Sequence, residues 1–179
     1  IDFANNEYEV IIGNTKSIVA SSGEGSGSVT YSSSDNSVAT VTNLGLVEAI
    51  ALGKVIITAT KAADSVYSGA TATAAITVTP KNDQTIQFDI PNFTLVIGDV
   101  AAITASGGEG TGTIAYSSSD ESIIAITPDE GLATANAIGT AVITAVKAAD
   151  KMYNEATVTM SVDVVAETIE LSAPEISSV

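Results

Sequence analysis

The 179-residue chain has room for one or two domains, contains no Cys and no His, and draws all six of its basic residues from lysine. These absences remove disulfides, thiol nucleophiles, imidazole bases and the commonest zinc ligands, so a Ser-His-Asp triad cannot be built. Set against 21 acidic residues the lysines leave a formal charge of −15, which disfavours nucleic acid and anionic membrane surfaces; no apolar run approaches the roughly 20 residues that cross a bilayer.

The chain opens on a strand-like segment holding Phe3 and Tyr8, broken at Gly13. Ile18 and Ala20 begin the next extended stretch. The loop Gly23-Glu24-Gly25-Ser26-Gly27 follows, then a strand with Val29 and Tyr31 inward and the turn Ser32-Ser33-Ser34-Asp35. Ala39 and Val41, then Val47 and Ala49, mark two short strands. A longer one places Val55, Ile57 and Ala59 on one face. After Lys61-Ala62-Ala63-Asp64 and Tyr67, the last strand alternates Ala72, Ala74, Ile76 and Val78 with Thr71, Thr73, Ala75 and Thr77. A period of two, with β-branched residues in the strands and Gly, Asn, Asp and Ser in the turns, is the pattern of half-buried strands.

The same order is then written again. Tyr31 to Asp35 recurs as Tyr116 to Asp120 at an offset of 85, and Gly23-Glu24-Gly25 recurs as Gly108-Glu109-Gly110. One residue enters near Pro128 to Gly131, after which Lys61 to Asp64 matches Lys147 to Asp150 and Tyr67 matches Tyr153 at an offset of 86. Inward positions are preserved: Ile103 and Ala105, Ile114 and Tyr116, Ile124 and Ile126, Ala133 and Ala135, Ala141, Ile143 and Ala145, and Val158, Met160, Val162 and Val164. This is a tandem duplication. The expected fold is all-β: two tandem immunoglobulin-like β-sandwich domains of about seven strands each. Residues 1–80 form the first, 81–84 a linker, and 85–166 the second. Residues 167–179 read as a linker or the first strand of a following unit, since Thr168-Ile169-Glu170-Leu171 echoes Thr85-Ile86-Gln87-Phe88.

Candidate chemistry is sparse. The glycine-rich loops at 23–27 and 108–112 lack both the lysine and the following helix of a phosphate loop, and read as hairpin loops. No cofactor is expected. Calcium is the one ion the carboxylates suggest, with Asp64, Asp150, Asp83 and Asp89 as candidates, although no EF-hand spacing exists and turn capping competes at Asp64. Lys61 and Lys147 read as charged strand ends, with isopeptide crosslinking to Asn or Asp as the alternative. Tyr31 and Tyr116 are expected as core rings whose hydroxyls reach a backbone partner, and Tyr67 and Tyr153 likewise. No residue is assigned a catalytic, cofactor-binding or metal-binding role.

The string Tyr31 to Val41, then Gly45-Leu46-Val47 and Gly53 to Thr60, resembles the bacterial immunoglobulin-like (Big) domain, group 2. Its counterparts are Tyr116 to Ile126, Gly131-Leu132-Ala133 and Gly139 to Val146. The Ala-Ala-Asp-x-x-Tyr segments at 62–67 and 148–153 resemble a variant of that family, and the Gly-Glu-Gly inserts depart from it. The resemblance implies non-catalytic repeats in adhesins, surface-layer proteins and other bacterial surface or secreted proteins. The expected function is a structural spacer extending a distal domain, as a monomer whose partners are neighbouring domains of a longer chain. The alternative is a binding module whose loops contact carbohydrate or a host surface protein.

Overall fold

The computed structural model describes residues 1–167; the echoed segment beginning at Thr168 lies outside the described residues. The chain divides into two compact units, the first spanning residues 1–82 and the second beginning at Asp83. Each is a β-sandwich, and no helix occurs among the described residues.

The first unit has seven strands, β1 (Glu7–Ile11), β2 (Thr15–Ser17), β3 (Val29–Ser33), β4 (Ala39–Val41), β5 (Leu46–Ala49), β6 (Gly53–Lys61) and β7 (Ala70–Thr79). One sheet runs β1-β7-β6-β3 and the other β2-β5-β4. β1 lies parallel to β7, and the other pairings are antiparallel. The two inner faces bury each other through Val47, Val55, Ile57, Ala59, Ala74 and Ile76. Each such fully buried Val or Ile contributes about 1.5–3 kcal/mol, which lets a small aliphatic core hold the module without disulfides.

The second unit comprises β8 (Ile86–Phe88), β9 (Phe93–Val96), β10 (Val100–Ala102), β11 (Ala105–Gly107), β12 (Ile114–Ser118), β13 (Ile124–Ile126), β14 (Leu132–Ala135), β15 (Gly139–Lys147) and β16 (Ala156–Val165). Its sheets are β9-β16-β15-β12, β10-β14-β13 and the short pair β8-β11. The long hairpins share one register: Gly53 to Lys61 faces Val78 to Ala70, and Gly139 to Lys147 faces Val164 to Ala156.

The two additional strands of the second copy lengthen a feature already present in the first. There Asp2 and Ser21 form a single antiparallel bridge, and an offset of 85 carries that pair onto Gln87 and Ser106, which face each other in the β8-β11 ladder. The opening segment therefore breaks earlier than Gly13 or Gly98 alone implies: it pairs with Ser21 or with β11 up to Phe3 or Phe88, and then joins β7 or β16 at β1 or β9. In the second copy Pro91 sits at this crossover, where a residue without an N–H cannot extend a ladder.

The period-two reading holds in both copies. Val162 and Val164 are buried while Asp163 between them is exposed. The same alternation carries one residue further than expected. Val55, Ile57, Ala59 and Lys61 all lie on the inner face of β6, and Lys61 is buried at 5 % exposure, as is Lys147 at 8 %. These lysines are inner-face residues at the rim of the sandwich, not ordinary charged strand ends.

Candidate functional site

The side chains with chemistry gather at one rim of each sandwich, where the Gly-Glu-Gly loop meets the Ala-Ala-Asp-x-x-Tyr loop. Lys61 ends β6 pointing inward, so its ammonium emerges beneath the glycine-rich loop. It donates to the main-chain carbonyls of Ser22 at 2.6 Å and Gly25 at 2.9 Å, and to that of Glu24. Lys147 donates to Gly107 O at 2.9 Å and Gly108 O at 3.0 Å. The sequence reading placed no lysine at these loops; the fold supplies one from the far end of a strand. Its effect is opposite to that of a phosphate loop. The loop turns carbonyls inward to grip a cation of its own, where an anion site turns N–H groups inward.

Asp64 and Asp150 fasten the same two loops from the other side. Asp64 Oδ1 accepts from the N–H groups of Val66 and Tyr67 at 2.8 Å each, closing its own turn. Its Oδ2 accepts from Ser26 N at 2.6 Å and Ser26 Oγ at 3.2 Å, reaching across to the glycine-rich loop. Asp150 repeats this with Met152, Tyr153 and Thr111. Donation from Tyr67, Val66 and Ser26 holds the Asp64 carboxyl far below the usual carboxylate range; for Asp150 the Thr111 N–H leads, followed by Met152 and Tyr153. Oxygens already faced by N–H dipoles present the wrong environment for calcium, which requires a shell of oxygen ligands.

The remaining calcium candidates are engaged elsewhere. Asp83 Oδ1 accepts from Asn154 Nδ2 at 2.8 Å. Asp89 accepts from the Thr104 hydroxyl at 2.7 Å and from the Ser106 hydroxyl, and the Ser106 bond is the main reason its carboxyl is depressed. Among the described residues no three His, Cys, Asp or Glu side chains group closely enough to hold a metal ion. The ammonium groups of Lys61 and Lys147 lie on main-chain carbonyls instead of the Asn or Asp side chain that an isopeptide bond requires.

The tyrosines divide into two kinds. Tyr31 and Tyr116 behave as expected: Ala20 N–H donates to the Tyr31 hydroxyl oxygen, and Ala105 N–H to that of Tyr116, each at 2.9 Å. Phe3 packs on Tyr31 with ring centroids 6.3 Å apart. Tyr67 and Tyr153 differ from the expectation. Tyr67 is 45 % exposed, and its hydroxyl donates to Glu24 Oε2 at 3.0 Å, while Tyr153 donates to Glu109 Oε2 at 2.6 Å. The Glu109 bond raises the Tyr153 phenol above its ordinary range. These rings sit outside the core because each lies on the loop after its long strand and meets the insert's glutamate there.

Close backbone approach explains the last glycine of each glycine-rich loop. A Cβ on Gly27 would stand 1.9 Å from Ala62 O, and one on Gly112 would stand 1.9 Å from Ala148 O. The Tyr-Ser-Ser-Ser-Asp motif is likewise a turn lock. Asp35 Oδ1 takes the N–H and hydroxyl of Ser37 at 2.9 and 2.6 Å, and Asp120 does the same with Ser122. The Ser37 and Ser122 hydroxyls are the leading cause of the lowered Asp35 and Asp120 carboxyls.

The rim cluster was not read from the sequence, although its members recur. Glu24, Lys61, Asp64 and Tyr67 all have partners at the repeat offset, and a polar set that repeats with the core is a set that contacts itself. What the arrangement accomplishes is mechanical. It ties two otherwise loose loops with one buried cation, one carboxylate and one phenol–carboxylate pair.

Residues 1–73 match the family Bacterial Ig-like domain (group 2). No curated protein matches the chain in sequence. Among solved structures, the S-layer protein rSbsC is similar at 19 % identity and a TM-score of 0.47, over 85 % of this chain and 22 % of that one. Domains 4 and 5 of SbsC give 19 % identity and a TM-score of 0.46, over 78 % and 71 %. Mouse cadherin-23 EC22-24 gives 16 % identity and a TM-score of 0.37, with this chain spanning 64 % of that fragment. None of these three likenesses bears on function. Sequence similarity to the bacterial Ig-like domain (group 2) family is thus carried by the first repeat, residues 1–73.

Proposed function

We propose that the chain is a non-catalytic spacer of a longer bacterial surface or secreted protein, two modules that extend a distal functional domain. The observation that carries this reading is the self-engagement of its chemistry. In both copies the buried lysine, the aspartate of the Ala-Ala-Asp segment and the loop tyrosine take partners within their own sandwich. What the duplication preserves is core, turns and loop fastening, which is what a repeat needs when its task is to hold its shape. The family match over residues 1–73 and the acidic, disulfide-free composition agree with export and solubility. The partners under this reading are neighbouring modules of the same chain.

The test is to display an epitope tag on a bacterial surface behind zero, one, two or three copies of this two-module chain. Under the spacer reading, access of a bulky antibody to the tag rises with copy number, and the chain binds nothing on glycan and host-protein arrays. Saturable binding on an array that Tyr67→Ala abolishes, with tag access independent of copy number, would establish a loop-borne binding module instead.

A further inference from the structure

We infer that the Gly-Glu-Gly loop of the second sandwich is a receptor for the chain entering that sandwich, with Gln84 as the side chain that fits it. This rests on the spacer reading and deepens it, because it names what fastens the entering segment. Gln84 lies in the stretch that the sequence marks as linker, yet its carboxamide joins both loops of the rim cluster. Its Oε1 accepts from Gly110 N–H at 3.1 Å, and its Nε2 donates to Asn154 O at 2.7 Å. Asp83 adds the bond from Asn154 Nδ2 at 2.8 Å. The entering chain is thus held at two consecutive residues, by loops 26 and 70 positions distant from Gln84 in sequence.

The loop is shaped for this occupant. A Cβ on Gly108 would stand 2.6 Å from Gln84 Oε1, and one on Gly110 would stand 2.9 Å from it. Glycine at both positions leaves the space that the carboxamide fills. The socket is also prepared in advance. Lys147 grips the carbonyls of Gly107 and Gly108 from beneath, and Asp150 holds the adjacent Thr111 N–H, so Gly110 N–H is already aimed when Gln84 arrives. This gives the insert, the departure from the family pattern, a purpose. Preorganised groups lose little freedom on engagement, so two hydrogen bonds suffice to shift the equilibrium toward the latched state. Only Pro80, Lys81 and Asn82 then remain between the end of β7 at Thr79 and the latch.

The experiment is timed digestion of the full chain by a lysine-specific endoprotease, with cuts located by mass spectrometry. Cleavage after Lys81 requires the segment around it to be drawn into the protease, and so tracks the open population of the latch. Cleavage after Lys147, which is buried, reports unfolding of the second sandwich. Gln84→Ala is expected to speed cleavage after Lys81 by about tenfold, the effect of losing two modest hydrogen bonds, with no change after Lys147. Gly110→Ala, which crowds the carboxamide from a position remote from the scissile bond, is expected to do the same, so protease preference for the changed residue is not the cause. Cleavage after Lys81 at the wild-type rate in Gln84→Ala, or equal acceleration after Lys81 and Lys147, would overturn the inference. Neither result would touch the copy-number experiment on which the spacer reading stands.

Discussion

Replacing Lys61 with methionine removes the ammonium while retaining most of the side chain's length and apolar stem. In the wild-type chain Lys61 is 5 % exposed and its ammonium donates to three main-chain carbonyls. Hydrogen bonds to a charged group contribute about 1.5–3 kcal/mol each, and a carbonyl left buried without a donor costs about 1–3 kcal/mol. Two effects reduce the sum. Ser22, Glu24 and Gly25 are exposed residues, so their carbonyls can turn toward water, and the buried ammonium itself carries a desolvation penalty that methionine lacks. A net loss of about 2 kcal/mol in the first sandwich is therefore expected, about 8–16 °C in its melting temperature at the usual 4–8 °C per kcal/mol for a domain this size. Differential scanning calorimetry of the whole chain can follow the first transition while the second serves as internal reference. Lys54→Met, which removes a lysine in an exposed 3.5 Å pair with Glu7, should change stability by less than about 0.5 kcal/mol. A Lys61→Met protein melting within 2 °C of wild type would refute the claim that the cation fastens the loop.

Tyr116→Phe removes the acceptor for Ala105 N–H and should cost the second sandwich about 1 kcal/mol by urea denaturation; Tyr31→Phe should cost the first less, because Tyr31 is only half-buried. Gly27→Ala forces apart two backbones that a Cβ would bring to 1.9 Å, and should destabilise the first sandwich by about 3 kcal/mol, read from the same denaturation curve. The Asp64 and Asp150 carboxyls are depressed in the folded state, so their contribution is fully present above the unfolded carboxyl pKa near ~4 and is lost as pH falls below it toward the folded value. Stability should therefore be flat from neutral pH to about 5 and then fall, and Asp64→Asn with Asp150→Asn should make that acid limb shallower in urea midpoints taken from pH 6 to 2.

Much of this structure is legible in the sequence, because duplication supplies two independent tests of every inward position. Ile57 and Ile143, or Val78 and Val164, are apolar in both copies and buried in both. The short inner-face alanines, Ala39 and Ala133 among them, were recoverable the same way. What escaped were contacts between residues far apart in the chain. Lys61 lies on the inner face by the very alternation that places Val55, Ile57 and Ala59 there, yet a charged residue at a strand end invites an outward reading. Only the loop 36 to 39 residues earlier in sequence gives it a reason to point inward. Tyr67 and Glu24 are joined across 43 residues, a pairing that no local pattern encodes. Gln84 looked like linker because its partners lie 26 and 70 residues downstream. The early break in the opening segment did leave a trace: Phe3 and Val10 are both inward although seven positions apart, which one uninterrupted strand of period two does not allow.

Pulling the chain from its two ends in a single-molecule force experiment addresses most directly whether each copy is a self-contained mechanical unit. Two modules that keep their loops fastened within themselves should rupture one at a time, each releasing about 25 nm of chain, the extended length of some 82 residues less the folded span. One rupture releasing twice that length, or a gradual extension without discrete steps, would contradict it.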